Sequence, residues 1–227
     1  MKIGILSDTH DQHRQEVIDA LQGCDFILHG GDISSQHILS RLEQIAPVKA
    51  VRGNNDGDWA EQLPVFLDFE LGGLRIYMTH KKKDLPGDLT NYDLVICGHS
   101  HQYASVWQES AGRKKTLILN PGSCGPRRFL QPITMAVLEI SPGGWTVEQI
   151  SIPHSAREKA PGVSSGDIHR QIEIVMHDTQ KGLPVDAIAR KHRLDPALVE
   201  LIVRLYVTHP GVTADGIMTK MGLLGKL

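Results

Sequence analysis

Five apolar runs of strand length in the first half of this chain each lead directly into a short turn that carries a metal-ligating side chain. Lys2-Ile3-Gly4-Ile5-Leu6-Ser7 is followed by Asp8-Thr9-His10, and Asp25-Phe26-Ile27-Leu28-His29 by Gly30-Gly31-Asp32. Val48-Lys49-Ala50-Val51 leads into Arg52-Gly53-Asn54-Asn55-Asp56, and Leu74-Arg75-Ile76-Tyr77-Met78-Thr79 into His80. Tyr92-Asp93-Leu94-Val95-Ile96-Cys97 leads into Gly98-His99-Ser100-His101. Short runs rich in Ile, Val and Leu between glycine turns read as buried strands. Seven candidate ligands, Asp8, His10, Asp32, Asn54, His80, His99 and His101, therefore fall at the carboxyl ends of five strands. That is the edge where open α/β sheets place their sites.

The residue types suit a pair of cations acting on a phosphate ester. Two ions about 3.5–4 Å apart repel each other, so an anionic ligand has to lie between them while they clamp an in-line displacement. Asp32 is the candidate bridge. Imidazoles and an amide complete both shells without adding negative charge that would repel the substrate. Oxygen and nitrogen donors without a thiolate suit manganese, iron or zinc better than Cu(I). Taken singly, each piece has a plainer explanation, since Asp-x-His after a strand is commonly a cap and Gly-Asp a turn. The joint order of all seven has none.

With those residues in place, the sequence resembles the calcineurin-like metallophosphoesterases, most closely their small bacterial and archaeal phosphodiesterase branch, from Met1 to about Ile152. The Asn120-Pro121-Gly122-Ser123 stretch followed by Pro126-Arg127 also looks like a loop of that branch. The resemblance implies a four-layer αββα sandwich of two mixed sheets. It implies one ion held by Asp8, His10, Asp32 and His101, and a second by Asp32, Asn54, His80 and His99. Manganese is the first expectation for both ions, with nickel, zinc and iron as alternatives. The expected activity is hydrolysis of phosphate diesters by a metal-bound hydroxide, with Asn54 and His80 closest to the phosphate.

One position departs from the family. Many relatives carry a histidine directly after the metal-binding asparagine, oriented by the next acidic residue, where it protonates the leaving group. Here Asn55 stands in that place, followed by Asp56. An amide cannot cycle a proton as a general acid, so the reading shifts toward substrates with good leaving groups, and toward diesters. Asn55 and Arg127 are candidate substrate contacts, Arg127 through the bidentate fork of its guanidinium. Lys81-Lys82-Lys83, directly after His80, is either a guide for phosphate or a solvated loop.

The 227 residues are 41% hydrophobic with a net charge of −2, enough for a full core and without global attraction to nucleic acid or acidic membranes. No long apolar run opens the sequence, so neither a signal peptide nor a membrane span is expected. Cys24, Cys97 and Cys124 are odd in number and scattered, which predicts free thiols and a cytoplasmic setting.

Helical spacing is expected over Gln12 to Leu21 and Ser35 to Ile45. Strands are expected over Tyr103–Trp107, Lys115–Leu119, Thr134–Ile140 and Trp145–Ile150, with a hairpin turn at Ser141-Pro142-Gly143-Gly144. The reading thus divides the chain into a phosphoesterase domain over 1–152, a linker over 153–166 and a helical appendage over 167–227. In the appendage a first helix is expected over Ile168–Thr179, a second opening at Leu183-Pro184-Val185, and a third from Asp195-Pro196 to about Tyr206. The last two resemble a helix-turn-helix, with Ala189, Leu194, Val199 and Ile202 at its packing positions and Arg193 where a turn glycine is usual. From Ser165 onward eight Lys or Arg face seven Asp or Glu, a poor balance for a DNA reader. The partners considered are a phosphate-ester substrate, a homo-oligomer, and nucleic acid or protein through these helices. A ligand sensor or scaffold is the alternative to an enzyme.

Overall fold

The computed structural model describes residues 1–109, 115–126, 131–153 and 165–221. The chain forms two compact units, Met1–Ser155 and Ala156–Leu227. Arg127 and nearly all of the expected linker lie outside the described residues.

The first unit contains two five-stranded mixed sheets. One has β1 (Lys2–Leu6) at its centre, parallel to β2 (Phe26–His29), with β2 parallel to β3 (Val48–Ala50). On its other side β1 runs antiparallel to β9 (Thr134–Ser141), which pairs with β10 (Gly144–Ser151) through the expected hairpin. The second sheet runs in the order β4 (Phe66–Leu71), β5 (Leu74–Thr79), β6 (Leu94–Cys97), β8 (Thr116–Pro121) and β7 (Tyr103–Gln108). Within it β5, β6 and β8 are parallel, and β4 and β7 are antiparallel edges.

Alternation along the strands builds the layers. Ile3 and Ile5 of β1 point to one face and meet Ile76, Met78, Leu94 and Ile96 of the second sheet, all buried. Leu6, Ile27 and Met135 point to the other face, under helices α1 (Gln15–Leu21) and α2 (Gln36–Glu43). Burial of each such side chain is worth about 1.5–3 kcal/mol, so a slip of one residue would invert the sandwich. The outer face of the second sheet is covered by the segment around Leu85, Leu89 and Tyr92, which packs on Tyr77 and Val95.

Helix α1 begins later than its apolar spacing suggests. Arg14 is extended, with φ −116°, because its guanidinium turns inward to donate to the carbonyls of Cys124 and Gly125. Strand β4 escapes sequence reading because it is an edge with only one covered face. The register aligns the strand ends: Leu6 sits opposite His29, and Thr79 opposite Cys97.

The second unit packs α3 (Ser165–Gln180), α4 (Val185–His192), α5 (Pro196–Thr208) and α6 (Ala214–Lys220) around Ile172, Val175, Ile188, Val199, Ile202 and Ile217. Arg193 takes the left-handed conformation, φ 53°, that a turn glycine would adopt. Buried Asp178 of α3 accepts from Lys191 Nζ and His192 Nε2 of α4, both at 2.7 Å. Helix α6 was not anticipated, because its apolar positions span only two turns. Among the described residues no helix is long and apolar enough to cross a membrane.

Candidate metal centre

The parallel registers bring the turns after β1, β2, β5 and β6 together at one edge of the sandwich. Backbone bonds continue the pairing beyond the strands: Asp8 N–H donates to Gly31 O at 2.9 Å, His10 N–H to Asp32 O at 3.0 Å, and Gly98 N–H to His80 O at 3.0 Å. Two groups of side chains converge there. Ligand atoms of Asp8, His10 and His101 lie within 4.8 Å of one another, and so do those of Asp32, His80 and His99.

Asp32 faces both groups. Its Oδ2 is 3.3 Å from His80 Nε2 and 3.9 Å from His10 Nε2. Asp8 Oδ1 is 3.2 Å from His101 Nε2, which is itself 3.2 Å from His10 Nε2. Asp8, Asp32, His80 and His101 are buried; His99 and Asn54 are exposed at the mouth. Asn54 lines an open cleft of about 350 Å³ beside His80.

These donors fit divalent cations. Asp8 Oδ1 and His80 Nε2 are buried and, despite the nearby His101 and Asp32, make no well-aligned hydrogen bond, a costly arrangement unless another species meets them. His80 Nδ1 donates to Gly30 O at 2.8 Å, which leaves Nε2 with its lone pair toward Asp32, as a metal-binding tautomer requires. Burial opposes the charge on Asp32, yet His80, the Asn55 amide and His10 outweigh it and hold the carboxylate well below its usual range. Burial likewise opposes protonation of His80, and the carboxylates of Asp32 and Asp8 outweigh it, raising that imidazole.

Five of the seven candidate ligands occupy left-handed backbone: Asp8 (φ 55°), His10 (46°), Asp32 (54°), His99 (71°) and His101 (60°). Each such position costs about 1 kcal/mol or more and persists where the surroundings over-determine it. The surroundings here include groups that spacing alone does not reveal. Asp56, buried, accepts four backbone N–H groups, from Ile33 and Ser34 on Oδ1 and from Asp32 and Gly53 on Oδ2, at 2.7–3.0 Å. Gly53 fits because a Cβ there would collide with the backbone and carboxylate of Asp32. Asn120 Nδ2 donates to Gly98 O at 2.8 Å and to Ser100 Oγ at 3.0 Å, and Ser123 Oγ donates to Asp8 O at 2.8 Å. The only sequence signal for the last two was the Asn-Pro-Gly-Ser stretch.

Asn55, the candidate substrate contact, is exposed and reaches Asp32. Its backbone N–H donates to Asp32 Oδ1 at 2.8 Å and its Nδ2 to Asp32 Oδ2 at 2.7 Å, so the backbone and the side chain of Asn55 both orient the candidate bridge.

A two-sheet sandwich that presents carboxylates and imidazoles at one edge defines the class of metal-dependent phosphoesterases. The model of the calcineurin-like phosphoesterase superfamily domain matches residues 1–143, and the chain belongs to that superfamily. It is 33% identical over 151 residues to a probable metallophosphoesterase of Methanothermobacter thermautotrophicus, covering 60% of this chain and 85% of that one. A phosphodiesterase of Methanocaldococcus jannaschii is 30% identical over 146 residues, covering 55% and 84%. Among solved structures, the phosphoesterase YfcE of E. coli superimposes with a TM-score of 0.51 at 22% identity, covering 67% of this chain and all of that one. Vps29 of Entamoeba histolytica complexed with zinc superimposes with a TM-score of 0.50 at 22% identity, covering 66% and 99%. At these identities the structural likeness concerns the fold.

Proposed function

We propose that this chain hydrolyses phosphate diesters at a pair of divalent cations held by Asp8, His10, Asp32, Asn54, His80, His99 and His101. The observation that carries the proposal is the position of Asp32, whose Oδ2 faces an imidazole of each ligand group. When bound, two such cations supply an activated water and neutralise charge on the phosphoryl oxygens. Manganese is the proposed working ion, since the donors are carboxylate, amide and imidazole without sulfur.

The protein's own groups set the rest of the chemistry. Asp56 holds the backbone of Asp32, and Asn55 holds its carboxylate. The Gly30 carbonyl fixes the tautomer of His80. Asn54 and His80 border the cleft in which the ester would lie. Asn55 offers no proton, and its amide is engaged by Asp32, so the leaving group departs without help from that position. An aryl or otherwise acidic alcohol tolerates this; an alkoxide does not.

The direct test is an Asp32→Asn variant assayed on bis-p-nitrophenyl phosphate with manganese. Turnover falling by at least about 100-fold, together with loss of one bound metal, supports the bridge; full turnover with one or no metal overturns it.

A further inference from the structure

The cleft that opens beside Asn54 and His80 has a charge pattern unused by the metal centre. Along its walls lie Arg52 from the turn after β3 and Lys81 directly after β5, with Val65 and Asp84 among the other lining groups. Asp8, His10, Asp32, His99 and His101 are not among them, so the cleft extends away from one side of the metal centre only. Of the three consecutive lysines, Lys82 and Lys83 are exposed in a 3-10 turn, whereas Lys81 is half-buried and lines the cleft. The guanidinium of Arg52 is steadied by the Asp56 carbonyl, which accepts from its Nε and Nη2, both at 3.4 Å.

The balance of charge decides what such a cleft accepts. Two cations face two carboxylates, but that of Asp56 is saturated by its four backbone donors. The formal charges of the lining balance, but with the lone pairs of Asp56 occupied, Asp84 is the one carboxylate of the lining left to compete with a ligand for Arg52 and Lys81. A neutral alcohol arm gains little from these two cations, while a phosphate gains a planar guanidinium from Arg52 and a point charge from Lys81.

We propose that Arg52 and Lys81 form a subsite for a second phosphate group, so that the preferred substrates are phosphodiesters with a phosphate on one ester arm. This rests on the phosphodiesterase reading for its chemistry, but binding alone tests it. The scissile phosphorus sits at the ligand groups and the phosphorylated arm lies in the cleft between Arg52 and Lys81. Asp84 tempers the subsite and sets the sign of a control: its neutralisation strengthens anion binding.

The test compares thymidine 3′,5′-bisphosphate with thymidine 3′-monophosphate in calorimetric titrations of the manganese-loaded protein, for the native chain and for Lys81→Gln, Arg52→Gln and Asp84→Asn. The native chain is expected to prefer the bisphosphate by about tenfold. That ratio is expected to fall toward one in Lys81→Gln and Arg52→Gln, to rise in Asp84→Asn, and to shrink as salt screens the charges. Opposite shifts from substitutions in one cleft separate charge from damage to the fold. Equal affinities in the native chain, or a ratio indifferent to all three substitutions, overturn the subsite. Hydrolysis of bis-p-nitrophenyl phosphate, measured in parallel, reports on the diesterase reading separately. Its absence beside an intact bisphosphate preference discards the reaction and keeps the anion site.

Discussion

Asp56 accepts the backbone N–H of Asp32 at 3.0 Å, so the residue that faces both candidate ligand groups is held by a carboxylate 24 positions further along the chain. The same side chain accepts from Gly53 at 2.7 Å, tying the turn after β3 to the turn after β2. Replacing it leaves buried donors unmet, each worth about 1–3 kcal/mol. Asp56→Ala is expected to cost about 3 kcal/mol and lower the Tm by roughly 6–12 °C. Metal affinity should weaken by about 10–100-fold, as for losses of groups that orient ligands. Thermal melts and competitive metal titration check both.

Asn55 gives a second prediction through the proton it cannot supply. Asn55→His restores an imidazole at the place where relatives carry one, and general acid catalysis contributes about 100-fold or more where it operates. Hydrolysis of esters with poor leaving groups should rise relative to p-nitrophenyl esters, and the dependence of rate on leaving-group pKa should flatten. An unchanged slope would show that Asp32 keeps the new side chain away from the ester.

Stability should depend on pH through His29. It is fully buried; its Nε2 and the Thr9 hydroxyl lie 3.1 Å apart, and its Nδ1 accepts from the Gly31 N–H at 3.2 Å. Burial pushes its pKa down to about 4, against about 6.5 in the unfolded chain. The unfolded state therefore binds more protons between these values, so this contribution is complete above about pH 6.5 and is lost as pH falls toward about 4. The difference corresponds to about 3 kcal/mol. Urea unfolding of chelator-treated protein at pH 7.5 and pH 5 should show the fall, and His29→Gln should show a smaller one.

The three thiols should be inert in the native protein. Cys24, Cys97 and Cys124 are all buried, and burial raises each of them, Cys124 to about 12. Thiolate is the reactive form, so alkylation by iodoacetamide at pH 7.5 should be slow until denaturant is added. Rapid labelling of Cys124 would contradict its position under Arg14 and Thr134.

Duplex DNA should not be retained at physiological salt. Helix α5, the one that would enter a groove, carries Glu200 and Arg204 as its only charged side chains, with the rest mostly apolar. Retention that falls steeply with salt would show that the helical unit finds phosphate contacts elsewhere.

Much of this was legible before the structure, and for a physical reason. A strand buried on both faces is a nearly continuous apolar run, so β1, β2, β5 and β6 and the candidate ligands at their ends stand out. Val48–Ala50 ends just before its run does, because Val51 N–H still reaches His29 O but Arg52 N–H already turns to Pro64 O. Strand β4 was missed because half of it faces solvent, and α6 because seven residues carry little periodicity. Within the site, the candidate ligands that converge in two groups were readable by type and spacing, but their supports were not. Nothing in Gly-Asn-Asn-Asp says that Asp56 receives four N–H groups from two turns, or that Asn55 reaches the Asp32 carboxylate. Such roles depend on contacts between segments distant in the chain, and only the register of the strands creates them.

The most direct measurement is the restoration of diesterase activity to chelator-stripped protein by graded manganese, with bound metal counted at each step. Turnover of bis-p-nitrophenyl phosphate should climb to a plateau at two ions per chain and exceed that of p-nitrophenyl phosphate. A chain that binds two ions and turns over neither ester, with manganese, nickel, zinc or iron, would contradict a diesterase built on Asp32.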